Sequence, residues 1–300
     1  MAAAVIWFAY RALRGSWDEL RRQPLPADIG WGWAAASAAT FLLAYLVLIQ
    51  TWRAILTSWD TGLPFLAAAR IWMVSNLGRY VPGKVWQIAA MGVLAQRAGV
   101  SPLAASGSAV LGTAVNIAAG FLIVMATGWR LLAVPHAGAP AVAAGIVLAV
   151  AVALIAVPWV APGAVRVAER AAGTSLTLKM PPRRAVMYAV VGNIIAWIFY
   201  GIAFQLLARA IWGSAGGGLS AYVAVYTLSY LVGYLVLPAP AGVGFREASM
   251  ITLMPAAGLA TAAQSAVLAI ASRLLLTVLD IAPGLAFLGR DTIRRCSRAP

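Results

Sequence analysis

Five stretches of this 300-residue chain, 98 to 129, 131 to 165, 185 to 208, 210 to 245 and 248 to 272, contain no Asp, Glu, Lys or Arg. An α-helix rises 1.5 Å per residue, so about 20 residues cross the hydrocarbon of a bilayer. Each stretch can therefore hold at least one crossing. Hydrocarbon offers no partner to a backbone N–H or C=O, and repeated helical spans satisfy those groups internally. Helices are expected over 31 to 52, 103 to 129, 140 to 160, 185 to 209, 219 to 237 and 264 to 289. Trp31, Trp33, Trp52, Trp59, Trp129, Trp159 and Trp212 fall where such helices would meet headgroups. The expected fold is all-α: a polytopic integral membrane helical bundle of about seven to eight spans.

Charged residues make up 10% of the chain, against roughly a quarter in a soluble domain. A soluble enzyme is excluded on that ground. A single cysteine, Cys296, and a single histidine, His136, exclude a disulfide framework or a Cys/His metal cluster made by this chain alone. No cofactor is expected.

The 22 basic residues outnumber the 8 acidic ones, and their placement explains the excess. They concentrate at Arg11, Arg14, Arg21 and Arg22, at Arg166 to Arg184, and at Arg290 to Arg298. Basic loops stay in the cytoplasm, so this pattern orients a multi-pass protein of the cytoplasmic (inner) membrane with its C-terminus inside. It does not call for a nucleic-acid partner.

Two apolar segments, about 64 to 97 and 238 to 256, are interrupted. The first reads Asn76-Leu77-Gly78-Arg79-Tyr80-Val81-Pro82-Gly83-Lys84-Val85-Trp86. Pro82 removes a backbone donor and disfavours helix before it, and Gly83 frees the chain from right-handed geometry. The second reads Leu237-Pro238-Ala239-Pro240-Ala241-Gly242-Val243-Gly244-Phe245-Arg246-Glu247-Ala248. Pro238 and Pro240 stop one helix, and another starts after Gly242, with Arg246 and Glu247 in its first turns. A helix start offers free N–H groups and partial positive charge, which suit an anion. One crossing by each segment keeps all three basic loops inside; re-entry by both would move Arg166 to Arg184 outside.

Non-helical backbone at membrane depth survives only against protein or a water-filled cavity, and buried ionisable groups there face a cavity or a partner. Arg70, Arg79, Lys84, Arg246 and Arg273 stand in apolar segments against only Glu247 and Asp280. An anionic lipid headgroup would neutralise the excess. Arg70 and Arg273 are expected to snorkel to an interface, and Glu247 to fix Arg246 or to exchange a proton. Arg273 and Asp280 are seven residues, about 10 Å, apart along one helix, too far for direct pairing. The candidate headgroup site is Arg79, Lys84, Arg246 and Glu247 with Asn76 and Tyr80, beside breaks at Pro82, Gly83, Pro238, Pro240, Gly242 and Gly244. Ser108, Gly112, Asn116 and Gly120 form a ridge of small residues suited to helix packing, with Asn116 and Asn193 placed for interhelical hydrogen bonds.

The two motifs, Asn76 to Trp86 and Pro240 to Ala248, together with the span pattern over nearly the whole chain, resemble the lysylphosphatidylglycerol synthase transmembrane (flippase-like) family. That family includes the membrane half of the bacterial multiple peptide resistance factor. The resemblance implies a lipid-handling membrane domain whose two motif regions help form a cavity and move a headgroup between leaflets. No soluble aminoacyltransferase domain follows within the chain, so lysyl transfer is not expected and residues 1 to 300 read as one domain. The implied partner is a membrane phospholipid or a polyprenyl phosphate. A separate transferase and an oligomer stay open. The rival reading is a membrane-embedded enzyme or accessory subunit acting on a lipid-linked phosphate or sugar. An enzyme needs a base or nucleophile, and only Glu247 and Asp280 are at hand.

Overall fold

The computed structural model describes residues 28–59, 62–81, 85–132, 181–235 and 242–296. Among them every regular element is helical: α1 (Trp31–Thr57), α2 (Phe65–Asn76), α3 (Val85–Arg97), α4 (Pro102–Leu132), α5 (Arg183–Trp212), α6 (Leu219–Leu235), α7 (Phe245–Ala256) and α8 (Ala262–Cys296), with a 3-10 turn at Leu77–Tyr80. Four helices are long and apolar enough to cross a membrane, over Trp31–Thr57, Pro102–Gly128, Arg183–Trp212 and Ala262–Gly289, and α6 is a shorter apolar helix. The span expected at 140 to 160 and His136 lie outside the described residues.

Local sequence fixes several helix ends. At α4, Pro102 takes the first helical position and Ser101 Oγ accepts the Ala104 N–H at 3.4 Å. At α8, Thr261 Oγ1 accepts the Gln264 N–H at 3.3 Å while Gln264 Oε1 accepts the Thr261 N–H at 3.0 Å, a reciprocal cap. At the far end of α5, Gly213 adopts φ 74° and donates to the Arg209 carbonyl at 2.9 Å.

Helices α1 and α5 run antiparallel in close contact. Gly30 N–H donates to the Ala210 carbonyl at 2.8 Å, Ser37 Oγ to the Ala203 carbonyl at 2.7 Å, and Thr51 packs onto Gly192. Helix α6 lies against the same helix: Gly201 receives Val223, and Phe204 meets Tyr222 edge-on at 6.0 Å. Small residues let backbones approach where the lipid supplies no hydrophobic drive. The ridge on α4 serves this purpose too. Gly120 sits under the Trp197 indole, which donates to the Asn116 carbonyl at 3.0 Å, and Asn116 Nδ2 donates to Asn193 Oδ1 at 2.7 Å.

The first interrupted segment is two half-helices. At 12 and 13 residues, α2 and α3 extend about 18 to 20 Å, short of the ~30 Å hydrocarbon. They pack against each other. Gly78 makes the approach possible, since a Cβ there would stand 2.8 Å from the Gln87 nitrogen and 2.9 Å from the Trp86 carbonyl carbon.

Tryptophan placement differs in part from expectation. Trp31 and Trp33 are exposed at the start of α1, at 75% and 45%. Trp52 does not face lipid: it is 4% exposed and belongs to the core that α1 shares with its neighbours. A tryptophan near a helix end marks headgroup depth only if its side faces lipid, and Trp52 faces the bundle.

Gly201→Leu tests the α5–α6 contact. A side chain there meets the Val223 backbone as well as its side chain, so the helices must separate, at a cost of about 1 to 3 kcal/mol. The expected result is a lower unfolding temperature in detergent; an unchanged one would mean that the contact is not tight.

Candidate functional site

Tyrosine recurs every fourth residue along α6, at positions 222, 226, 230 and 234, which places the four on one helix face. Tyr226 and Tyr230 meet Tyr200 and Trp197 of α5, and the Tyr200 and Tyr226 rings stack at 5.5 Å. Tyr45 of α1 lies 6.3 Å from the Tyr200 ring. This wall bounds a cavity of about 790 Å³, counting its open mouth, closed on the other sides by Arg79, Tyr80, Gln87, Gly233, Gly242, Arg246, Arg273, Thr277 and Asp280. Tyr45, Tyr200, Arg273 and Asp280 all fall inside stretches long enough to span, so the cavity lies within the bundle at membrane depth.

Among the described residues, Asp280 is the most heavily engaged carboxylate. It is 2% exposed and accepts from Tyr45 Oη at 2.7 Å, Tyr80 Oη at 2.8 Å and Arg79 Nη1 at 3.2 Å. The 3-10 turn brings Arg79 and Tyr80 to it side by side. Arg79 Nη2 also donates to Asn76 Oδ1 at 3.1 Å, and Gln87 Nε2 donates to the same oxygen at 2.7 Å. Asn76 thus ties the turn to the start of α3.

The second interrupted segment reaches the cavity at Gly242, and Gly244 leads from there into α7. Gly242 and Gly244 have φ of 68° and 89°, in the left-handed region that glycine tolerates. A Cβ on Gly242 would stand 2.6 Å from the Gly233 carbonyl oxygen, so α6 and the lead-in to α7 touch backbone to backbone. Glu247 Oε2 then accepts the Gly244 N–H at 2.8 Å, closing the first turn of α7. Its other oxygen lies 3.5 Å from Arg273 Nη1.

Arg246 is held differently. It is 4% exposed, its guanidinium lies over the Tyr226 ring at 4.9 Å and the Tyr230 ring at 5.7 Å, and its Nε and Nη2 have no hydrogen-bond partner among the described residues. The Tyr226 hydroxyl is likewise buried without a partner. The ring faces stabilise the cation but leave those N–H groups unsatisfied.

Of the residues expected at the site, Arg79, Tyr80 and Arg246 line one cavity, Asn76 supports Arg79, and Glu247 stands behind the wall. Lys84, Pro82, Gly83, Pro238 and Pro240 lie outside the described residues. Two expectations are corrected. Glu247 partners Arg273 rather than Arg246, because adjacent residues on a helix point about 100° apart. Arg273 does not snorkel; at 6% exposure it is buried in that pair. Arg70 is exposed. Asp280 and the tyrosines of α1, α5 and α6 were not among the expected site residues, although the four-residue tyrosine spacing on α6 was a readable signal.

Glu247→Ala removes the Gly244 N–H acceptor and the Arg273 counter-ion together. Removing one member of a buried pair costs about 3 to 5 kcal/mol, so the variant is expected to unfold at much lower temperature or denaturant than wild type. Arg273→Leu in the same chain should recover part of the loss, and a double variant no more stable than Glu247→Ala would remove the pair from the account.

No curated protein matches this sequence. Residues 1–284 match the family described as the lysylphosphatidylglycerol synthase TM region, and with nearly all of its length so matched the chain belongs to that family of multi-pass membrane domains.

Proposed function

We propose that this membrane protein handles an anionic lipid by its headgroup and passes it between leaflets. The observation that carries the reading is Arg246: a cation at membrane depth, almost wholly buried, lining a cavity, with two guanidinium nitrogens unpaired. An arginine fork matches phosphate oxygens in geometry as well as charge, and desolvated cations are retained where a ligand or partner answers them. Arg79 lines the same cavity, the start of α7 adds a partial positive charge, and the tyrosine hydroxyls add donors. Acyl chains would stay among the apolar helix faces outside. The buried carboxylates do not favour an enzyme: Asp280 already accepts three hydrogen bonds, and Glu247 holds a helix end and Arg273.

Purified protein in liposomes with headgroup-labelled phosphatidylglycerol or polyprenyl phosphate should exchange label between leaflets faster than empty liposomes. Arg246→Ala should cut that rate by about tenfold or more, as expected for a lost charge-assisted contact, with folded protein retained. Exchange at the empty-liposome rate would refute translocation. Lipid binding without exchange would support instead a protein that presents lipid to a separate transferase.

The orientation follows the basic segments, with the C-terminus cytoplasmic. Single cysteines placed beside Arg184 should label only from the cytoplasmic side; labelling only from outside would reverse the topology.

A further inference from the structure

Three guanidinium groups and one carboxylate line the cavity, a second carboxylate stands behind its wall, and their charges do not cancel. Arg79 is matched by Asp280 at 3.2 Å and Arg273 by Glu247 at 3.5 Å. Among the described residues this leaves one uncompensated positive charge, on Arg246. All five side chains are largely withdrawn from solvent; the most exposed, Arg79, is at 23%. In such surroundings the charge of an occupant is tested as closely as its shape, because screening is weak and an unmatched charge is costly.

The two carboxylates play different parts. Glu247 closes the first turn of α7 and stands behind the wall. Asp280 lines the cavity itself, where it holds Arg79 and draws two tyrosine hydroxyls. Without the Asp280 charge, the cavity would offer two free cations in place of one.

Resting on the headgroup reading above, we propose that Asp280 is a specificity-determining residue that limits the occupant to a single negative charge. The class so selected is a lipid phosphodiester; phosphomonoesters and diphosphates are disfavoured. A phosphodiester keeps one charge at neutral pH, whereas a phosphomonoester carries about 1.5 to 2. One charge matches Arg246. The second would face the Asp280 carboxylate, with Arg79, Tyr45 and Tyr80 already committed to it. Two kinds of lipid offer the selected chemistry, glycerophospholipids with an alcohol headgroup and sugars joined through one phosphate to a polyprenol. In both, a hydroxylated substituent beyond the phosphate would meet the tyrosine wall, where the Tyr226 hydroxyl lacks a partner.

The test is equilibrium binding to the full chain in detergent with four probes: short-chain phosphatidylglycerol, a short glycosyl phosphoryl polyprenol, short-chain phosphatidic acid and a short polyprenyl monophosphate. At about pH 8, where monoesters hold two charges, at least one diester should bind about tenfold or more tighter than the monoester of the same lipid. The preferred diester identifies the lipid source. Asp280→Asn keeps the size and one acceptor oxygen, and should shrink that preference by about tenfold. Monoester binding equal to or tighter than diester binding in wild type would overturn the proposal, as would an unchanged preference in folded Asp280→Asn.

If that variant does not fold, a pH series on wild type decides. Phosphatidic acid should bind more weakly as pH rises from about 5.5 to 8 and its second proton leaves. The diester serves as control for Arg79, Arg273, Glu247, Tyr45 and Tyr80, which share the site with Asp280. Parallel curves for the two lipids would overturn the proposal. Failure of all four probes to bind wild type would overturn the headgroup reading itself, a result distinct from binding without charge preference.

Discussion

The Asp280 carboxylate is where separate parts of the chain are made to agree. Its donors come from α1, through Tyr45, and from the turn after α2, through Arg79 and Tyr80, while the acid itself belongs to α8. A single ion at that depth is unfavourable, and three donors with one opposite charge make it tolerable. The arrangement holds only if the turn at Leu77–Tyr80 stands at the right height beside α8. That height is set by packing elsewhere: Leu77 rests on Gly284, and Gly78 admits the start of α3. The broken helix and the buried acid are therefore parts of one arrangement, in which the break supplies the side chains and the acid fixes their place.

The tyrosine wall does a second task. Tyrosines from α1, α5 and α6 pack their rings in the bundle centre and line the cavity as well. An aromatic ring gives large apolar contact and a polar tip on the same rigid body. A cavity with a polar lining can thus be cut into an apolar bundle without loosening its packing.

Much of the fold was legible because hydrocarbon leaves so few alternatives. Long apolar runs marked α1, α4, α5, α6 and α8 to within a few residues, except that α8 runs on to Cys296. The start of α7 just beyond Gly242 was readable from its glycines and prolines. Asn116 and Asn193 met each other, as polar groups on apolar helices tend to. Partner choice was not legible. Arg246 and Glu247 are neighbours in sequence and invite pairing, but whether Arg273 reaches Glu247 depends on how α8 is rotated and raised against α7, which no local pattern contains. The pairing of Asp280 with Arg79 was hidden for the same reason, since the two lie 201 positions apart.

The sequence neighbours Arg246 and Glu247 face in different directions, one over the tyrosine rings and the other toward Arg273. Both ride on the 12-residue helix α7, whose lead-in is wedged against α6 at Gly233. A roll of α7 that carried Arg246 off its rings would also draw Glu247 away from Arg273, so the two buried contacts are geared together. The cation in the cavity and the ion pair behind the wall are two faces of one short helix, and neither contact can be altered by such a roll without the other.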